Sequence, residues 1–326
     1  MVEAVDEPRA VAPQKRKRRR RRKPGDQPSF REMAEYALVR VVGLPLRHLP
    51  VDATSWAMGS ALGLIMPLTS RHSRALDNLA HALPELSVEE RSRIAKRMWQ
   101  NLGRVSAEAF AIDRLIDATD RVDVPDDFDR FVALCQDGAI CATPHLGNWE
   151  IAGALPRRVN LAFCGVYREL QNPLVEAYLK GMRAPGYSKG LFAKGPALGN
   201  TLVRLAREGV GIGMAADFRE LRGVPVRFFG QEATGTPLPA MLARLSGRPL
   251  ISGAILRGRG VRFRVVMREI EVSRTDERDR DIQETTQRLH DAFEEWIRLA
   301  PDQWMWPHRK WARSRRASPE RISPAA

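Results

Sequence analysis

The segment CATPHLGNWEIAG, residues 141–153, joins two kinds of sequence. It begins inside "GAICAT" (138–143), a short apolar run of strand length, and from Gly147 onward it reads as the start of a helix. His145 therefore stands at a strand-to-helix turn, with Glu150 near the first turn of the helix. The same alternation repeats outward. "VNLAFCGVY" (159–167), "VGIGMAA" (210–216) and "RPLISGAIL" (248–256) are strand-like. Helical segments over roughly 147–157, 172–184, 196–208 and 236–246 fall between and around them. Strands alternating with helices predict an α/β fold, with a mixed, mostly parallel sheet flanked by helices. "GVPVRFFG" (223–230) and "VRFRVVMREIEV" (261–272) add strands that could run antiparallel, and a long helix over 276–299 closes the unit.

The N-terminal third differs in texture. Residues 30–49 have the spacing of an amphipathic helix carrying Arg31, Arg40 and Arg47, and residues 53–70 contain no charge. Eighteen residues lie near the lower limit for a bilayer span, and Gly59, Gly63 and Pro67 weaken that reading. Attachment in the membrane interface is preferred, a single span stands second, and a buried core helix is the third reading. Helical spacing continues to about residue 116, with Ser87 and Glu90 forming a capping-box pattern. The expected organisation is a disordered basic arm (1–28), a helical membrane-associated region (29–116), an α/β core (117–313) and a frayed tail (314–326).

The 326 residues include 44% hydrophobic ones, enough for a full core, which excludes a wholly disordered chain. Of the net charge of +14, nine positive charges come from the run Lys15–Lys23, which suits anionic lipid or another polyanion. That run is followed by "PGDQPSFREM" rather than an apolar stretch, so no cleavable signal is expected. Cys135, Cys141 and Cys164 lack metal-ligand spacing and read as reduced thiols. No metal or other cofactor is expected, and "GPALGN" (195–200) lacks the G-x-G-x-x-G spacing of a dinucleotide site.

An imidazole beside a carboxylate at the mouth of a strand is an arrangement for moving a proton. The carboxylate fixes the tautomer, and the other ring nitrogen accepts hydrogen from a hydroxyl. No serine or cysteine occupies a nucleophile position in this segment, so the hydroxyl would belong to a substrate. The plainer alternative is a loop histidine and a helix-capping glutamate.

"TPHLGNWEIAG" resembles the His-(four residues)-Asp/Glu motif of membrane-associated glycerolipid and glycolipid acyltransferases, and most closely the bacterial lipid A late acyltransferases. "NLAHALPELSVEERSRIAKRMWQNLGRVSAEAF", "VYRELQNPLVEAYLKGMR", "VPVRFFGQEATGTPLPAMLARLSGRPLI" and "APDQWMWPHRKW" resemble further segments of that family in the same order. The resemblance implies His145 as general base with Glu150 orienting it. It implies attack of an acceptor hydroxyl on an acyl thioester, from acyl-carrier protein by preference or from CoA. Gly147 and Asn148 at the helix start would supply oxyanion donors, while Arg168 and Arg183 would meet phosphate or oxyanion. Asp217 and Arg219, in "ADFRELRG", depart from the Asp-Gln pair common in lipid A members and resemble relatives that acylate phosphatidylinositol mannosides. The expected partners are acyl-carrier protein, anionic membrane lipids and a lipid A-type or other glycolipid acceptor at the cytoplasmic face of the inner membrane. A nucleic-acid binder built on the basic arm is a remote alternative, since the body shows no reader module. Trp304, Trp306 and Trp311, interleaved with cations, read either as headgroup-depth anchors or as a packed terminal helix.

Overall fold

The computed structural model describes residues 27–195 and 198–311. The basic run 15–23 and the tail 314–326 lie outside them.

Four helices lead the chain: α1 (Phe30–His48), α2 (Val51–Ile65), α3 (Ser70–Ala82) and α4 (Val88–Glu108). Ser29 and Ser87 each start a helix with a complete capping box, closed by Glu32 and Glu90. The uncharged segment forms α2 and a 3-10 turn over Met66–Leu68. At 1.5 Å per residue a 15-residue helix rises about 22 Å, short of the ~30 Å hydrocarbon core, and among the described residues no helix is long and apolar enough to cross a membrane. The spanning reading is thereby corrected. The glycines in and opposite this segment have another use. α2 packs closely on α4, where a Cβ on Gly103 would collide with the Met58 carbonyl.

The α/β part follows as α5 (Ile112–Asp117), β1 (Val122–Asp123), α6 (Phe128–Gln136), β2 (Ile140–Thr143), α7 (Ala154–Arg158), β3 (Phe163–Tyr167), α8 (Pro173–Arg183) and β4 (Leu191–Ala193). It continues with α9 (Leu198–Arg207), β5 (Gly211–Ala215), β6 (Val224–Phe228), β7 (Gln231–Gly235), α10 (Leu238–Ser246), β8 (Leu250–Arg257), β9 (Phe263–Ile270) and α11 (Arg278–Leu299). Seven strands form one sheet in the order β1-β9-β8-β2-β5-β3-β4. All neighbours are parallel except β8 and β9, so the strand expected over 261–272 does run antiparallel in the sheet. β6 and β7 form a separate hairpin.

Central strands are apolar on both faces, as a parallel sheet covered by helices requires. Ile140, Ile212 and Leu250 are fully buried, each contributing roughly 1.5–3 kcal/mol by leaving water. The main core joins these residues to Leu79, Met98 and Trp99 of α3 and α4, so the N-terminal helices share the core of the sheet.

The C-terminal stretch also enters that core. Trp304, Trp306 and Trp311 are buried, which corrects the headgroup-anchor reading, and they follow a 3-10 turn (Pro301–Gln303) rather than a terminal α-helix. Lys310, 1% exposed, donates from Nζ to His290 Nε2 at 2.9 Å, while His290 Nδ1 donates to the Thr286 carbonyl at 2.8 Å. Burial pulls the Lys310 ammonium down to about 7, against the opposing charge of Asp217. The unfolded chain holds that proton up to about pH 10.4. Folding therefore expels a proton between about pH 7 and 10.4, and stability rises with pH across that window. Lys310→Met is expected to flatten the rise. Urea midpoints of both proteins at pH 7 and 9.5 check this, and equal climbs would contradict it.

Candidate active site

β2 and β5 are adjacent and parallel, with Thr143 opposite Ala215. His145 and Asp217 each lie two residues beyond that pair, at the carboxyl edge where open α/β sheets bind ligands. The register brings them together. Asp217 Oδ1 lies 2.7 Å from His145 Nδ1, and Oδ2 accepts the His145 backbone N–H at 3.0 Å and the Trp304 indole N–H at 2.8 Å. Asp217 is fully buried. Burial alone would raise its pKa, but the His145 charge and these hydrogen bonds outweigh burial and hold the carboxyl well below its ordinary range. An ionised carboxylate only accepts, so Nδ1 carries the hydrogen and Nε2 offers a lone pair. The ring is stacked on Phe218 at 3.8 Å with Trp149 edge-on, and retains 19% side-chain exposure.

Asp217 thus takes the orienting position expected of Glu150. Both Glu150 oxygens are instead held by Arg183, at 2.7 Å from Nε and 2.6 Å from Nη2. The helix start is also corrected. Residues Trp149–Gly153 form a 3-10 turn before the short α7, capped by the Asn148 side chain accepting from the Glu150 N–H at 3.1 Å.

Gly147 and Asn148 do not present free oxyanion donors. The Gly147 N–H donates to the Gln303 carbonyl at 3.2 Å and the Asn148 N–H to the Ile255 carbonyl at 2.8 Å. Both residues are buried. Gly147 has φ +64°, and a Cβ there would run into the Ile255 carbonyl. These two residues brace the turn. The Asn148 amide donates to Glu108 Oε2 at 2.7 Å, and Glu108 also accepts from Ser55 of α2 at 2.6 Å and from Arg257 Nη1 and Nη2, each at 2.7 Å. Asn101 completes the brace by donating to the Gly147 carbonyl at 2.9 Å.

His145, Glu150, Arg183, Arg168 and Arg219 all line one cavity of about 1300 Å³, larger than the ~300–1000 Å³ of ordinary small-molecule pockets. Much of its lining is apolar, including Phe131, Val132, Leu161, Phe163, Ile251 and Met267. Among the described residues Arg183 Nη1 makes no hydrogen bond. Arg168 and Arg219 are exposed and make no ion pair among the described residues. Asp217, paired with His145 and Trp304, meets neither Arg219 nor Arg222. Among the described residues no group of three or more His, Cys, Asp or Glu side chains could hold a metal ion, and Cys135, Cys141 and Cys164 are free thiols.

Sequence reasoning missed the parts contributed from a distance. Trp304 lies in a segment singled out for its composition, but its bond to Asp217 depends on where that segment docks. Glu108 lies in a segment that resembles the family, yet nothing local to it or to Arg257 points to the brace they form.

This arrangement can take a proton from a hydroxyl at the edge of a cavity with an apolar interior. The family model described as bacterial lipid A biosynthesis acyltransferase matches residues 23–313. No curated protein matches the chain significantly.

Proposed function

The chain belongs to the bacterial lipid A biosynthesis acyltransferase family and is an acyltransferase, and we propose that it transfers a fatty acyl group from an acyl thioester to a hydroxyl of a lipid A precursor. His145 Nε2 takes the hydroxyl proton as the oxygen attacks the thioester carbonyl. Asp217, holding Nδ1–H, stabilises the imidazolium that forms. The tetrahedral oxyanion collapses with cleavage of the carbon–sulfur bond, and the imidazolium returns its proton to the departing thiolate. With the N–H groups of residues 147 and 148 engaged, Arg183 is the oxyanion donor favoured here, aimed by Glu150 and with Nη1 unpartnered among the described residues. The single observation that carries the reading is the His145–Asp217 pair at an apolar-walled cavity.

Acyl-carrier protein is the preferred donor, with CoA second. The carrier is acidic, and this chain is basic at +14. Attachment is to the cytoplasmic face of the inner membrane. Phe30, Val41 and Leu44 of α1, and Trp56 and Leu64 of α2, expose large apolar side chains beside Arg31 and Arg40, suiting an interfacial seat on anionic lipid. The sequence Asp217-Phe218-Arg219 favours a second acceptor class, a phosphatidylinositol mannoside-like glycolipid.

Purified enzyme incubated with acyl-carrier-protein or CoA thioesters and candidate acceptors, with products read by mass spectrometry, tests the reading. So does a deletion strain, whose lipids should contain a species lacking one acyl chain. No such species and no transfer to any hydroxyl-bearing lipid would end it. Arg183→Lys, which keeps the charge but loses the two-pronged pair with Glu150, is expected to lower kcat about 10²-fold with a smaller change in KM. An unchanged kcat would remove Arg183 from the reaction.

A further inference from the structure

We propose that Arg71, Arg74, Arg168, His308 and Arg309 form a binding site for a phosphate group carried by one of the two substrates. The proposal rests on the acyl-transfer reading of the same cavity and adds to it the chemistry of a second point of attachment.

All five side chains line the cavity that contains His145. Arg71 and Arg74 lie three apart on α3, so they share a face. One turn on, the Asn78 amide donates to the carbonyls of Trp306 and His308 at 2.6 and 2.7 Å, which docks α3 against His308. The His308 ring is stacked on Phe218, whose opposite neighbour is His145. His308 is thus one aromatic ring away from the base. Arg168 lies close enough for its charge to act on His308, and Arg309 is the next residue in the chain.

Two observations separate this cluster from an ordinary solvated basic rim. Arg74 Nε and His308 Nδ1 are both buried and have no hydrogen-bond partner among the described residues, whereas buried polar atoms are nearly always paired. None of the four arginines has a carboxylate within ion-pair distance among the described residues, although arginines elsewhere on the chain commonly do. Among the described residues, the acidic ones lining the cavity are Glu150 and Glu220, and these are taken by Arg183 and Lys194. Apart from the Asp217 carboxylate held behind His145, the positive charge of this cluster meets no carboxylate among the described residues, and the cavity walls focus it. Burial, against the opposing charge of Asp217 and with the nearby cations, lowers His308 to about 4. At neutral pH its ring is an uncharged N–H donor among guanidinium forks, whose planar geometry matches phosphate oxygens.

The phosphate has two possible sources, the headgroup of the acceptor glycolipid or the phosphodiester of the pantetheine arm that bears the thioester. Kinetics on the full-length enzyme distinguish them. Arg74→Gln and His308→Gln are each expected to raise one substrate's KM about tenfold. If the acceptor supplies the phosphate, its KM rises and the loss disappears with a dephosphorylated acceptor. If the donor supplies it, the KM for acyl-carrier protein rises while that for an acyl N-acetylcysteamine thioester, which has no phosphate, does not. Either pattern supports the site.

Binding of inorganic phosphate, followed by broadening of its phosphorus-31 resonance, reads the site without any acyl transfer. The basic arm is present in every protein compared and cancels. Broadening should fall severalfold in the Arg74→Gln/His308→Gln double variant. The exposed Arg71→Gln and Arg309→Gln variants, which leave the core untouched, should each show part of that loss if the double variant misfolds. Unchanged broadening together with unchanged KM values overturns the proposal. Absence of acyl transfer with retained, variant-sensitive phosphate binding would instead sink the acyl-transfer reading and leave the site standing.

Discussion

Replacing His145 with alanine is expected to lower kcat by on the order of 10²- to 10⁴-fold, the usual contribution of a positioned general base. No second base stands ready to substitute. His308 is separated from His145 by the Phe218 ring and lacks a carboxylate partner. Asp217 is fully buried behind the imidazole. Asp217→Asn is expected to cost about 10²-fold or more, because an amide can donate to Nδ1 and favour the tautomer whose Nε2 carries the hydrogen. The two substitutions should be far from additive, since they disable one unit. They also have a stability signature. The Asp217 carboxyl titrates well below its unfolded value of about 3.9. Its contribution is thus fully present above pH 4 and lost as the pH falls further. Removing the His145 charge should weaken that acid-side dependence. Residual activity of His145→Ala within tenfold of the parent, in a protein with native circular dichroism, would rule out the base assigned here.

Glu108→Ala is expected to destabilise the protein by about 3–5 kcal/mol, the range for leaving a buried charge without its partner. Glu108 is 0% exposed and accepts four hydrogen bonds, and the side chain of Arg257 is 7% exposed. Truncation strands the guanidinium, the Ser55 hydroxyl and the Asn148 amide together. A companion variant separates stability from positioning. Glu108→Leu combined with Arg257→Met replaces the ion pair by apolar volume and should recover most of the lost stability. It should not recover activity, because Asn148 remains unanchored and with it the turn between His145 and Glu150. Urea midpoints and acyl-transfer rates on the same preparations decide the matter. A midpoint for Glu108→Ala close to the parent's would show that the brace carries little free energy.

What could be read in advance follows the range of the interactions involved. Apolar runs of strand length announced β2, β3, β5 and β8, and helical spacing announced α8, α9, α10 and α11 to within a few residues. The two-residue β1 and three-residue β4 passed unnoticed, because such short strands exist only through pairing with β9 and β3. α6 was passed over as well. The turn after Asn148 reads as an α-helix in the sequence, since an apolar pattern five residues long does not separate 3-10 from α geometry.

The candidate site divides along the same line. The chain's own order of residues determined that a histidine stands at a strand-to-helix turn, with a carboxylate five positions on and an α/β sheet around it. Those features depend on backbone propensities and spacing that act within a few residues. Which carboxylate meets the imidazole was decided only by the tertiary structure. Parallel pairing of β2 with β5 carries Asp217 to His145 across 72 positions, while α8 places Arg183 where it captures Glu150. Hydrogen bonds and ion pairs go to the groups that packing brings within about 3 Å, and sequence separation plays no part in that choice.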